Sequence, residues 1–220
     1  MKRIFYTFLC ATLAAAALSS CDKDDNMDYS KFYANSIVTV KTDTKGLLLQ
    51  LDDSTTVRPT NILKSPFKNN EVRALCNISF SGDIKKGTEN QAYVNWMDSV
   101  ITKNAVAYVS GMKLSNDPLE VVDDWTTVVE DGYITIRFRT YFEVKTHVFN
   151  IITGANENDP YEIVLTHNAD GELDGRVGDG IMAFNLSNLP STNGKYVTLT
   201  LKWNSFSGEK TVKFKYKSRQ

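Results

Sequence analysis

The sequence predicts an all-β protein in which an OB-like small barrel is followed by an immunoglobulin-like β-sandwich, and three observations carry that prediction. From Ser36 onward the 220-residue chain alternates apolar with polar residues, and β-branched and aromatic side chains fill the apolar positions. Turn-forming residues recur at short spacing, and no segment carries a long amphipathic helical repeat. The apolar content, 42%, is ample for packed cores.

Strands are expected over residues 37–41 and 46–51, with Asp52-Asp53-Ser54 turning the chain into a strand over 55–58 that Pro59 ends. Val72, Ala74, Cys76, Ile78 and Phe80 then share one face of a strand whose other face carries Arg73, Asn77 and Ser79. Strands over 92–96 and 101–109 complete this half, and about five strands in roughly 75 residues, without a helical layer, fit a small closed barrel such as an OB-fold. Asn116-Asp117-Pro118 interrupts the pattern and is the expected boundary. Beyond it, Ile134, Ile136 and Phe138 alternate with Thr135, Arg137 and Arg139, and further strands follow over 145–153, 161–166, 181–186, 197–203 and 210–217. That number of strands in the second half implies a two-sheet sandwich. The expected domains are therefore 36–115 for the barrel and 116–220 for the sandwich.

The first 35 residues have a different character. Lys2 and Arg3 precede an apolar run over 4–18, and Leu18-Ser19-Ser20-Cys21 closes it with small residues ahead of a thiol. This resembles a bacterial lipoprotein signal with its lipobox. The resemblance implies a signal peptide over 1–20, acylation of Cys21 with fatty acids such as palmitate, and an outer-membrane anchor. An uncleaved membrane helix and a secretory signal leaving Cys21 free are the alternatives. Asp22-Lys23-Asp24-Asp25 begins a polar tether over 21–35 and looks like the acidic sorting signal of surface-exposed Bacteroidetes lipoproteins.

Two longer sets of segments resemble one family. Leu48-Leu49-Gln50-Leu51-Asp52-Asp53-Ser54-Thr55-Thr56 and Arg73-Ala74-Leu75-Cys76-Asn77-Ile78 are similar to its first domain. His147-Val148-Phe149-Asn150-Ile151-Ile152, Leu165-Thr166-His167-Asn168 and Phe184-Asn185-Leu186-Ser187-Asn188-Leu189-Pro190 are similar to its second. Together they resemble a NigD-like lipoprotein of Bacteroidetes. The resemblance implies an OB-like domain, a β-sandwich and a proposed bacteriocin-immunity role, and it supplies no catalytic or ligand residues.

The candidate sites favour structural roles. Asp170, Glu172, Asp174 and Gly175 imitate the opening of a calcium loop, but Ile181 stands where the closing Glu belongs, so a solvated acidic hairpin is expected. His147 and His167 are the only histidines and read as hydrogen-bonded sheet residues rather than metal ligands. Cys76 reads as a core thiol. Asp52-Asp53 and Asp123-Asp124 read as turn residues, because adjacent acids on an extended chain point to opposite faces. Trp96 and Trp203 are expected on apolar faces, whereas Trp125, near the boundary, is the candidate for an exposed functional aromatic.

Charge excludes one class of partner. Removing Lys2 and Arg3 from the 25 basic residues leaves 23 against 26 acidic ones, a mature charge of −3, which argues against nucleic-acid binding. With one cysteine in the body of the chain, no intramolecular disulfide framework is available. The expected protein is a surface-anchored, non-catalytic lipoprotein without metal or cofactor, its partners being the membrane through its lipid and an extracellular protein or glycan. The alternative is a carbohydrate-binding accessory protein of a glycan-uptake system.

Overall fold

Pairing in the computed structural model, which describes residues 28–68 and 70–219, follows directly from the alternation. The leader 1–20, Cys21 and the Asp22-Lys23-Asp24-Asp25 cluster lie outside the described residues. Residues 28–33 hold one short 3-10 turn, Tyr29–Phe32, capped by Asp28, whose Oδ1 accepts from the Ser30 amide at 3.2 Å. Ala34–Gln220 form a separate compact unit.

Five strands close the barrel: β1 (Ser36–Asp43), β2 (Gly46–Gln50), β3 (Thr56–Pro59), β4 (Val72–Phe80) and β5 (Glu89–Ser99), in the order β1-β2-β3-β5-β4. Val38, Val40, Leu47, Leu49, Val57, Ala74, Cys76, Ile78, Ala92 and Val94 fill it. Closure removes the free sheet edge that a five-stranded layer would otherwise expose. A bulge interrupts β5: Ile78 pairs with Val94 but Asn77 with Trp96, so Asn95 is the extra residue. The bulge inverts the parity of the strand beyond it. Met97 therefore packs against the barrel core, and Trp96 shares the opposite face with Asn77, which corrects its expected place on the apolar face.

The sandwich has two five-stranded sheets. One comprises β6 (Ile101–Asn104), β13 (Val177–Asn185), β10 (Tyr133–Tyr141) and β8 (Glu120–Val121), with β9 (Val128–Glu130) also on β10. The other runs β15 (Gly208–Tyr216), β14 (Val197–Ser205), β12 (Glu162–Asn168), β11 (Val148–Thr153) and β7 (Val106–Ala107). Ile134, Ile136, Phe138, Met182 and Phe184 from the first meet Phe149, Ile151, Ile163, Leu165, Leu199, Leu201 and Trp203 from the second. Three pairings are parallel: β6 with β13, β7 with β11, and β12 with β14.

The domain boundary is not at Asn116. Segment 101–107, expected to complete the barrel, supplies an edge strand to each sandwich sheet, and Val100 alone separates β5 from β6. Alternation shows that these residues are strands but carries no information about which sheet they join.

Tight packing explains two glycines on β13. A Cβ at Gly180 would lie 2.6 Å from the Phe138 ring, and one at Gly178 would lie 2.7 Å from Phe142. Both rings therefore occupy space that only a missing side chain leaves free.

Candidate functional site

Several polar constellations lie outside the two cores, and three of them bear on function. The first surrounds Trp125. Asp124 fixes the turn between β8 and β9: its Oδ1 accepts from the Thr126 amide at 2.9 Å and its Oδ2 from Arg137 Nη1 at 2.6 Å. Burial raises the Asp124 pKa, but Thr126 and Arg137 outweigh it and hold the carboxyl below the usual range. The turn leaves the indole of Trp125 52% exposed. With Ala34, Leu75, Ile181, Arg137 and Asp179 it lines a recess of about 270 Å³. Arg137 also approaches Asp179 at 3.3 Å, and Arg139 donates to the same oxygen at 2.9 Å. An apolar lining, an accessible indole and a fixed row of donors and acceptors can bind a ligand that offers one apolar and one polar edge.

The second constellation is the seam between barrel and sandwich. Arg73, on the barrel's outer face, is completely buried because β10 covers it. It donates from Nε to Thr135 at 3.3 Å and from Nη1 to Thr39 at 3.1 Å, and its Nη2 pairs with Glu130 at 3.5 Å. Burial, opposed by Arg73, pushes the Glu130 carboxyl up to about 7. Asp131 receives Lys41 at 2.9 Å and Arg219 at 2.6 Å, while its own amide donates to Asp53 at 2.9 Å. Glu71 accepts from both Tyr133 and Arg219 at 2.6 Å. Asp131 and Gly132 both have positive φ, 50° and 72°, as a two-residue hairpin loop between β9 and β10 requires.

The third constellation joins three loops. The Glu172 carboxylate accepts from the amides of Glu143, Val144 and Lys145 at 2.7, 2.9 and 3.2 Å, and meets His147 Nε2 at 3.0 Å. The Val144 amide, with the other two and His147, holds this carboxyl down to about 2. His147 Nδ1 lies 3.0 Å from His167 Nε2, and His167 Nδ1 lies 3.3 Å from the Asp117 carbonyl. Phe142 stacks on His147 and Phe149 on His167, each with ring centroids 4.6 Å apart.

The expected site residues therefore divide. Trp125 is exposed and Trp203 is core, as expected. Cys76 is buried, and burial pushes its thiol up to about 12, which leaves it unreactive. Asp52 is a turn residue, accepting from the amides of Ser54 and Thr55, but Asp53 reaches across the seam. The acidic hairpin is only partly solvated: Asp170 is exposed, whereas the Glu172 side chain is 8% exposed and turned inward. His147 precedes β11 instead of lying within it, and no metal-binding group of three or more His, Cys, Asp or Glu occurs among the described residues. Sequence reasoning missed the seam. The Asp131-Gly132 pair between Val128-Val129-Glu130 and Tyr133-Ile134-Thr135 was a hairpin signal that could have located its centre.

Comparison with known proteins decides the family. The profile of the NigD-like N-terminal OB domain matches residues 37–100, and that of the NigD-like C-terminal beta sandwich domain matches residues 101–216. The chain belongs to the NigD-like family. Family boundaries and strand pairing thus place the junction at the same residue.

Solved structures agree with the family's two-domain fold. A protein of Parabacteroides distasonis, whose name links it to a toxin, is 30% identical over 83% of this chain and 92% of its own, with a TM-score of 0.66. A NigD-like immunity protein of Bacteroides caccae has 20% identity over 82% of this chain and 95% of its own, with a TM-score of 0.57. A protein of Bacteroides fragilis named as a candidate lipoprotein has 13% identity over 86% of this chain and 99% of its own, with a TM-score of 0.56. No curated protein matches the chain.

Proposed function

We propose that this chain is a non-catalytic binding lipoprotein of the immunity kind, held at the outer membrane through acylated Cys21 and facing the cell exterior. The observation that carries the binding reading is Trp125, an indole kept in solvent by a rigid turn and lining an apolar recess. A large aromatic exposed on a folded β surface is a characteristic anchor for a partner. Membership of the NigD-like family supports the immunity role, since a family relative of the same two-domain fold is named an immunity protein. The sequence before Asp28 supports the anchor through the lipobox at Leu18-Ser19-Ser20-Cys21.

A protection assay tests this reading. Cells lacking the gene should become sensitive to the bacteriocin of a producing relative, and the wild-type gene should restore resistance. Cys21→Ala should fail to restore it through loss of the anchor, and Trp125→Ala through loss of binding. Equal sensitivity of deleted and wild-type cells counts against immunity.

Trp125 also favours a second reading, carbohydrate capture. An indole face stacks on the C–H face of a pyranose, while Arg137 and Asp179 can meet its hydroxyls. Titration with soluble oligosaccharides from the host's growth substrates separates the two readings: saturable binding lost in Trp125→Ala supports glycan capture.

A further inference from the structure

The line from Glu172 to Asp117 fixes a proton count. At one end a carboxylate faces His147 Nε2, and at the other a backbone carbonyl faces His167 Nδ1. Both ends are acceptors, so each end contact is a hydrogen bond only when its ring nitrogen carries hydrogen. Between the rings, His147 Nδ1 and His167 Nε2 are 3.0 Å apart, a separation that one hydrogen makes attractive. Two neutral imidazoles supply two hydrogens, but the three contacts use three. Filling all three contacts at once therefore gives the pair one shared positive charge, facing a carboxylate that accepts from three amides.

We infer that His147 and His167 form a proton-sharing clasp whose uptake of a fourth ring proton separates the rings and frees the 142–147 strap from Glu172. With four hydrogens, two N–H groups point at each other and two cationic rings stand with centroids 5.0 Å apart. With two hydrogens, either a pair of lone pairs faces across the gap or one end bond is lost. The contact is complete in one protonation state only.

The surroundings make the second proton costly. Phe142 and Phe149 cover the two rings, and the His147 side chain is 1% exposed. Other charges nearby are already engaged: Asp117 accepts from the Ala169 amide at 2.7 Å, Lys145 pairs with Asp170 at 3.2 Å, and Lys103 donates to the Phe149 carbonyl at 2.6 Å. Burial, followed by the charge of His147, pushes His167 below the ordinary histidine value, although the Asp117 and Pro118 carbonyls and the Asp117 carboxylate oppose it. A histidine depressed in the folded state favours folding above its unfolded pKa of about 6.5 and loses that contribution as pH falls below it. Phe142 also lies across Gly178, next to Asp179 and Gly180 of the Trp125 recess, so release of the strap removes the ring behind that wall.

Amide hydrogen exchange on the full chain tests the clasp. After correction for intrinsic pH dependence, exchange at Glu143, Val144 and Lys145 should accelerate about tenfold or more between pH 7 and pH 5, because each pH unit below a titration shifts the population up to about tenfold. In His167→Gln the acceleration should disappear. Ring nitrogen chemical shifts of the wild type provide a readout independent of any variant's folding: at pH 7 they should show protonated His147 Nε2 and His167 Nδ1 with an intermediate signal for the two facing nitrogens. Two independent titrations near 6.5, or exchange at the three amides that ignores pH, would overturn the proposal.

Discussion

At the seam the buried cation is Arg73, a guanidinium that keeps its charge throughout the physiological range, and its partner Glu130 is the group that titrates near neutrality. At the three-loop constellation the anion is held ionised, since Glu172 is pushed down to about 2, and His167, lowered by burial, is the group that responds to acid. Both constellations bury charge to join segments distant in sequence, yet they respond to acid in opposite directions. The Glu130 pKa is raised on folding, so its ionisation opposes folding as pH rises from about 4.5 towards 7; acidification from 7 relieves that penalty. His167 is lowered, so acidification below about 6.5 removes stability. A protein with both elements can show a flat stability profile that hides two steep ones.

The largest effect should come from breaking the seam. Arg73→Ala removes a buried cation, leaves Glu130 and two threonines without their partner and opens a cavity, and should cost about 3–5 kcal/mol in urea unfolding. Asp131→Asn tests the same region more gently: it keeps a residue tolerant of the left-handed turn but loses the ion pairs to Lys41 and Arg219, for about 2 kcal/mol. Gly178→Ala drives a methyl into Phe142 and should cost about 1–2 kcal/mol while disturbing the ring that covers His147.

The comparison sharpens most in the pH profile. His167→Gln removes the acid-sensitive partner and exposes the response of Glu130, so this variant should become more stable as pH is lowered from 7.5 to 5.5, with a slope of no more than about 1.4 kcal/mol per pH unit. The wild type should change less over that range, and identical slopes in the two proteins would mean that the clasp contributes nothing. Trp125→Ala should have the smallest effect, within about 0.5 kcal/mol, because the indole lies outside both cores.

Local pattern made much of this molecule legible in advance. Alternation located nearly every strand because each buries one face, and it put Ile134, Ile136 and Phe138 on the core side of β10. The same rule failed for Thr135 and Arg73, which lie on the polar faces of their strands and are nevertheless buried, because a polar face pressed against another domain has the same local sequence as one facing water. Trp96 was misplaced for a different reason: a single inserted residue inverts a strand, and nothing about Asn95 marks it as that residue. Trp125 was recognisable because it sits in an acidic turn without a strand pattern to bury it. His147 and His167 were noticed as a pair but not as neighbours, since their contact depends on a loop geometry that periodicity does not describe.

The direct passage from β5 into β6 also constrains how the chain acquires its structure. Ile101 finds its partner at Met182, so the strand that follows the barrel without a loop has nothing to pair with until most of the sandwich exists. Pairings this distant in sequence fold slowly, because the entropy of closing the intervening loop is lost before the contact forms. A chain emerging N-terminus first would present residues 101–107 as open edge strands throughout that delay, the interval in which such segments are most prone to pair with the wrong neighbour.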